Sequence, residues 1–98
     1  MPSEFRDVDP RELRLPSSRR GADPFKLQVQ IGRFGSSSAG MPPPLVYESL
    51  DGALVIYDGV TRATRMAKLA PGTLIRVEVI GRLRRAHGTD PKIGDTLS

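Results

Sequence analysis

The residues best suited to chemistry stand close together in the run Asp58-Gly59-Val60-Thr61-Arg62, with Arg65 and Lys68 following at three-residue intervals. If a helix begins at this turn, its first backbone N–H groups lack intrahelical acceptors and carry a partial positive charge, which suits a phosphate. Gly59 adds no side chain to block close approach, and Thr61 brings a hydroxyl within reach. Arg62, one turn in, would grip the same anion through a planar, charge-assisted fork, and Arg65 and Lys68 would extend the attraction along a phosphate backbone. Asp58 has two readings: an N-cap that orders the first turn, the commoner role for Asp at such a turn, or a catalytic carboxylate that holds a metal or activates water. Phosphoryl chemistry would need further acids, and Glu48, Asp51 and Asp90 could supply them only if the fold brings them close. A second basic cluster, Arg82, Arg84 and Arg85, offers a nucleic-acid contact, and His87 beside it reads as a surface residue. Arg19 and Arg20, in a polar turn at 17–21, form a further basic spot.

Composition narrows the field. The 98 residues suit one small domain, and 15 Lys and Arg against 11 Asp and Glu give a net charge of +4, which favours phosphate-bearing partners without requiring them. The absence of Cys excludes disulfides, thiolate zinc sites and cysteine nucleophiles, and a single His makes histidine-based metal catalysis a poor fit. No stretch approaches the ~20 apolar residues that a membrane span needs.

Local pattern then places the motif. Residues 1–12 are mostly polar, with Pro at 2 and 10, and read as an arm or linker ahead of a single domain at 13–98. Leu13-Arg14-Leu15 alternates and stops at Pro16, which suggests a short edge strand that a partner chain could extend. Asp23-Pro24 is a helix-start signal with Leu27, Ile31 and Phe34 on one face, yet Phe25, Leu27, Val29 and Ile31 also alternate with polar residues as a strand would. Pattern alone leaves both open. After a Gly/Ser loop at 35–40 and the stiff Pro42-Pro43-Pro44, strands at 45–50 and 53–57 flank Asp51-Gly52, a signal for a type I′ hairpin. Tyr47 and Tyr57, inside those strands, read as packing residues. Val60, Ala63, Ala67 and Ala70 would share the buried face of a following helix, with Arg62, Arg65 and Lys68 on an adjacent basic face. Pro71-Gly72 ends that helix, 74–80 reads as a strand, and 81–98 as loop with a short docked stretch.

From Leu13 to about Ile80 this order of elements, with the Pro-Pro-Leu-Val-Tyr strand, the Asp-Gly hairpin and the Asp-Gly-Val-Thr-Arg turn, resembles the ParB/sulfiredoxin superfamily. The resemblance implies an α+β fold, a small mixed sheet with two main helices, and a helix rather than a strand at 23–34. It also implies a nucleotide-phosphate contact through a Gly and an Arg, which fall on Gly59 and Arg62, with Arg65 on the helix that follows. Val60 stands where sulfiredoxins place a Cys, so sulfinic acid reduction is not expected. Val60-Thr61-Arg62 also replaces the Glu-Arg-Arg of ParB partition proteins, which puts CTP hydrolysis in doubt. The chain looks like the short ParB-like domains at the C-terminal ends of Rhs-type polymorphic bacterial toxins. That likeness implies an effector of the nuclease or NTPase kind, acting on nucleotide or nucleic acid. A nucleoside triphosphate with Mg2+, a cognate immunity protein and delivery into a target cell would go with it. The alternative class is a non-catalytic DNA- or RNA-binding or protein-interaction module.

Overall fold

Four strands and two helices form an α+β fold in the computed structural model, which describes residues 4–16 and 21–97. The strands are β1 (Glu4–Val8), β2 (Leu45–Glu48), β3 (Leu54–Asp58) and β4 (Ile75–Arg82), and the helices are α1 (Pro24–Phe34) and α2 (Val60–Leu69). Their order in one mixed sheet is β1-β4-β2-β3, with β2 and β4 parallel and the two outer pairs antiparallel. A parallel pair cannot be joined by a tight turn, so the chain leaves β3 through α2 and returns beside β2 as β4. The periodicity of α2 explains why it covers the sheet: Val60, Ala63, Met66 and Ala67 turn inward against Val46, Ile56, Ile75 and Val77. None of the described helices is long and apolar enough to cross a membrane.

Residues 4–12 are not an arm. Glu4 to Val8 pair with β4 in register Glu4↔Val79 to Val8↔Ile75, and Pro10–Glu12 form a short 3-10 helix capped by Asp9. The strand escapes notice in the sequence because its inward positions are charged. Arg6 bonds Glu4 (2.5 Å) and Glu48 (2.9 Å), while Arg82 reaches both Glu4 (3.4 Å) and Glu48, closing a four-residue ring across β1, β4 and β2. Exposed ion pairs add roughly 0–1 kcal/mol each, so the ring sets register more than it stabilises.

Leu13-Arg14-Leu15 likewise differs from the expected free edge. Arg14 bridges Val55 on one side and Lys92 on the other, with backbone bonds to Leu54 and Ile56 and flanking bonds from Leu13 and Leu15 to Ile93 and Pro91. Both sides are occupied, and Leu13 and Leu15 are 1% exposed, so the segment belongs to the core and offers no edge to a partner. The bonded Ile93 docks the C-terminal tail. The basic turn at 17–21 lies, apart from Gly21, outside the described residues.

Where local pattern left 25–31 open, the chain is helical. Asp23 accepts from the N–H groups of Phe25 (2.8 Å) and Lys26 (3.2 Å), and Pro24 occupies the first turn, so the start is fixed by local bonding. No residue of α1 is fully buried, and the helix rests on α2. The β2–β3 hairpin is present, but its turn is not type I′. Only Gly52 has positive φ (+87°), and Ser49 N–H bonds Ala53 O across a three-residue connection. Asp51 does not adopt positive φ, and its carboxylate is engaged by Ser49 and by amides of the C-terminal segment.

Candidate phosphate-binding site

At the junction of β3 and α2 the backbone must turn sharply into a helix whose first bond is Ala63 N–H to Gly59 O (2.9 Å). Gly59 makes that turn at φ +95°, and the N-cap position has no side-chain hydrogen bond to the first turn. Asp58 is therefore not the N-cap: it ends β3, and its Oδ1 accepts from the N–H of Gly59 (2.9 Å). The turn places the carboxylate one residue too early to reach the N–H groups of Thr61 or Arg62. Those groups, with that of Val60, point from the helix end without an intrahelical acceptor. Arg62 folds back over the turn, its Nε donating to Pro42 O (3.2 Å) and its Nη2 2.8 Å from where a Cβ on Gly59 would stand.

A cavity of about 450 Å³ opens here. One wall is the run from Asp58 to Arg62, and the other is the α1 face formed by Phe25, Lys26, Val29 and Gln30. Gly59, Thr61 and Arg62 thus come together as expected. Lys26 and Phe25 join them, and they were missed because a residue on α1 has no neighbour in sequence to mark it. The i, i+4 pairs Phe25/Val29 and Lys26/Gln30 are the signal that a helix at 24–34 would have offered. Phe25 is 77% exposed, which leaves an aromatic ring at the mouth.

Comparison with protein families, curated proteins and solved structures gives no match. The geometry is thus the guide to the remaining candidates.

Arg65 does not lie on a basic face. It is 1% exposed, its Nη1 donates to Gly35 O and Ser37 O (2.7 Å each), its Nη2 meets Met41 Sδ at 3.4 Å, and its guanidinium stacks 5.3 Å from the Phe34 ring centroid. Burial pushes its pKa down from the usual value. The period of α2 carries Arg65 between the helix and the 35–41 loop, so it holds that loop and is not placed on the α2 N-terminus. Lys68 is exposed beside Gly21, Thr64 and Thr96, along a different groove. Arg82 belongs to the ion ring, which uses its charge within the sheet. Arg84 and Arg85 are exposed at the opposite end of the sheet, where Arg85 O accepts from Leu50 N–H (3.0 Å).

The other acids also lie away from Asp58. Asp51 is in the β2–β3 turn at the start of β3, whereas Asp58 ends that strand, roughly 16–23 Å on at ~3.3 Å per residue. Glu48 is in the ion ring, and Asp90 accepts from His87, with Nδ1 to Oδ2 at 2.8 Å. No group of three or more His, Cys, Asp or Glu that could hold a metal forms among the described residues. Asp58 is therefore the one acid in the cavity wall. The tyrosines pack: Tyr47 and Tyr57 meet edge to face at 5.7 Å, and the Tyr47 ring lies over Gly81.

Asp51 instead secures the tail. Its carboxylate accepts from the Ser49 hydroxyl (2.5 Å) and from the N–H groups of His87 (3.3 Å), Gly88 (2.8 Å) and Ala53 (3.4 Å). The Ser49 bond, with those from His87, Ala53 and Gly88, holds its pKa at about 2, below the ordinary 3.8. A depressed folded-state pKa stabilises above the unfolded value, and that contribution is lost as pH falls from about 4 through about 2. Acidification in that window is expected to lower the protection of the His87 and Gly88 amides, read as their hydrogen exchange relative to the intrinsic rate of an unstructured chain at the same pH. Asp51→Asn should exchange fast there already near neutral pH. An Asp51→Asn protein with the wild-type exchange profile at every pH would show that the carboxylate does not hold the loop.

Proposed function

We propose that the protein is a phosphate-recognising domain that binds a nucleotide or nucleic acid at the cavity between α1 and the N-terminus of α2. The observation that carries this reading is the convergence of Gly59, Thr61, Arg62 and Lys26 on one cavity, with the unpaired first-turn N–H groups of α2 at its base. A phosphate there replaces water on backbone donors that are already oriented, and Arg62 closes over it from Pro42. The likeness of the Asp-Gly-Val-Thr-Arg turn to ParB-like domains supports the same ligand class, and with it a toxin-effector setting with a cognate immunity partner. Asp58, the acid on the cavity wall, is the residue that would hold a Mg2+ ion accompanying the phosphate, and such an ion would supply neutralisation of its charge.

The test is titration with ATP, CTP and a short DNA at low salt, followed by melting temperature and calorimetry. Wild type is expected to be stabilised, and Arg62→Ala to weaken binding by roughly ten- to a hundredfold, the range for losing a hydrogen bond to a charged group. A wild-type melting curve unchanged by all three ligands would sink the proposal.

A non-catalytic reading has an observation of its own. Asp58 stands alone in the cavity wall, with no second acid beside it to share the holding of a metal or the activation of water. Incubating DNA and RNA with the protein and Mg2+ or Mn2+ separates the two. Cleavage abolished by Asp58→Ala marks an enzyme, whereas binding without cleavage marks a recognition module.

A further inference from the structure

The cavity between α1 and the start of α2 offers more than a phosphate would use. Phe25 lies in its α1 wall and is more exposed than any other large apolar side chain among the described residues. Among those residues no ring or guanidinium stacks on it. Val29, one turn further along α1, is exposed in the same wall, so the two side chains form one apolar strip. An aromatic ring left in water at the mouth of a cavity presents a face that a flat ligand can cover. Cations stand on both walls, Lys26 on α1 and Arg62 on α2, and neither pairs with a carboxylate among the described residues. At about 450 Å³ the space lies within the ~300–1,000 Å³ of small-ligand sites, which is room for a ring as well as an anion.

Resting on the phosphate reading of this cavity, we infer that its ligand is an unpaired nucleic-acid strand. One base lies against Phe25 and Val29, the phosphate on one side of it meets the first turn of α2 and Arg62, and the phosphate on the other side meets Lys26. Each part of the assignment has its own reason. An apolar strip beside phosphate donors calls for a ligand that joins a flat ring to an anion, as a nucleotide does. Every base has a face that can stack on an aromatic side chain, so binding tolerates different sequences. Cations on both walls suit an internal nucleotide, which carries a phosphate on each side. A nucleoside monophosphate leaves Lys26 unmatched, and a triphosphate gathers its charge on one side of the base. A duplex keeps its bases paired and stacked, so one must be flipped out before it reaches Phe25. Two phosphate contacts set a shallow salt dependence, with log Kd rising against log salt at a slope of about 1.4.

The test uses the whole chain and fluorescein-labelled oligothymidine at low salt, followed by anisotropy. Beside it are measured the same strand in a duplex, an abasic strand of equal length, and thymidine monophosphate as a competitor. Oligothymidine is expected to bind at least about tenfold more tightly than each of the other three. Phe25 is exposed, so Phe25→Ala leaves the core intact; it should weaken oligothymidine by about tenfold and leave the abasic strand unchanged. The chain has no Trp, so Phe25→Trp places a lone reporter at the strip, and oligothymidine should quench its emission where the abasic strand does not. The inference is overturned if the duplex, the abasic strand or thymidine monophosphate binds as tightly as oligothymidine. It is equally overturned if Phe25→Ala leaves oligothymidine unaffected or weakens both strands alike, or if the reporter is not quenched. In each of those cases a loss of binding in Arg62→Ala shows that the phosphate reading survives, whereas a wild type that binds none of the four ligands defeats both.

Discussion

Gly59→Ala is expected to destabilise the protein by about 1–3 kcal/mol, lowering the melting temperature by roughly 5–15 °C, and to weaken phosphate binding as well. Two costs act at this residue. The backbone at φ +95° is one that a side chain tolerates poorly, and a Cβ would lie 3.0 Å from both Cα and Cβ of Pro44 and 2.8 Å from Arg62 Nη2. The costs differ in kind, which allows them to be separated. Arg62 Nη2 is the far end of a flexible side chain and can swing aside, whereas Pro44 sits in the stiff stretch that leads into β2 and cannot. Combining Gly59→Ala with Arg62→Ala should therefore recover little of the lost stability. Chemical denaturation of the four proteins in the cycle measures this. A Gly59→Ala protein that melts with wild type would mean that the chain does not enter α2 through a left-handed turn.

The same turn shows how far the sequence could be read. Asp58-Gly59 before an apolar-faced helix was legible because Gly, the apolar run Leu54 to Tyr57 and the 3.6-residue spacing of Val60, Ala63 and Ala67 all agree locally. The β2–β3 hairpin was legible for the same reason, although its turn geometry was not, since Asp51 is held by the Ser49 hydroxyl and by amides more than thirty residues away. Glu4–Val8 was hidden because its inward charges are satisfied by Glu48 and Arg82 on other strands. Hydropathy cannot register such a partner. At 24–34 two periods fitted, and the Asp23 cap decides which one the chain adopts. The cavity itself was half legible: its α2 wall is contiguous in sequence, and its α1 wall is brought there by packing.

Arg65 is where local reading fails most, and its replacement carries the other large expected effect. Spacing put it on a basic face with Arg62 and Lys68, but a helix surface is cylindrical, and a step of three residues turns by about 60° short of a full circle. Over two such steps Arg62, Arg65 and Lys68 drift apart, so that one borders the cavity, one is buried and one faces another groove. Arg65→Ala is expected to cost about 2–4 kcal/mol, because it empties the space beside Phe34 and deprives Gly35 O and Ser37 O of their donor. Arg65→Met tests which loss dominates. Met refills much of the volume and removes a desolvated charge, a change that can be neutral or favourable when nothing else depends on the charge. Here two carbonyls depend on it, although residues 36–40 are exposed and water can reach the loop once it loosens. Arg65→Met should therefore lose about half as much stability as Arg65→Ala in urea denaturation and still show fast hydrogen exchange through 35–41. Wild-type exchange in that loop would assign Arg65 a packing role alone, and the 35–42 loop would then be held by Phe34 and Met41 without the guanidinium.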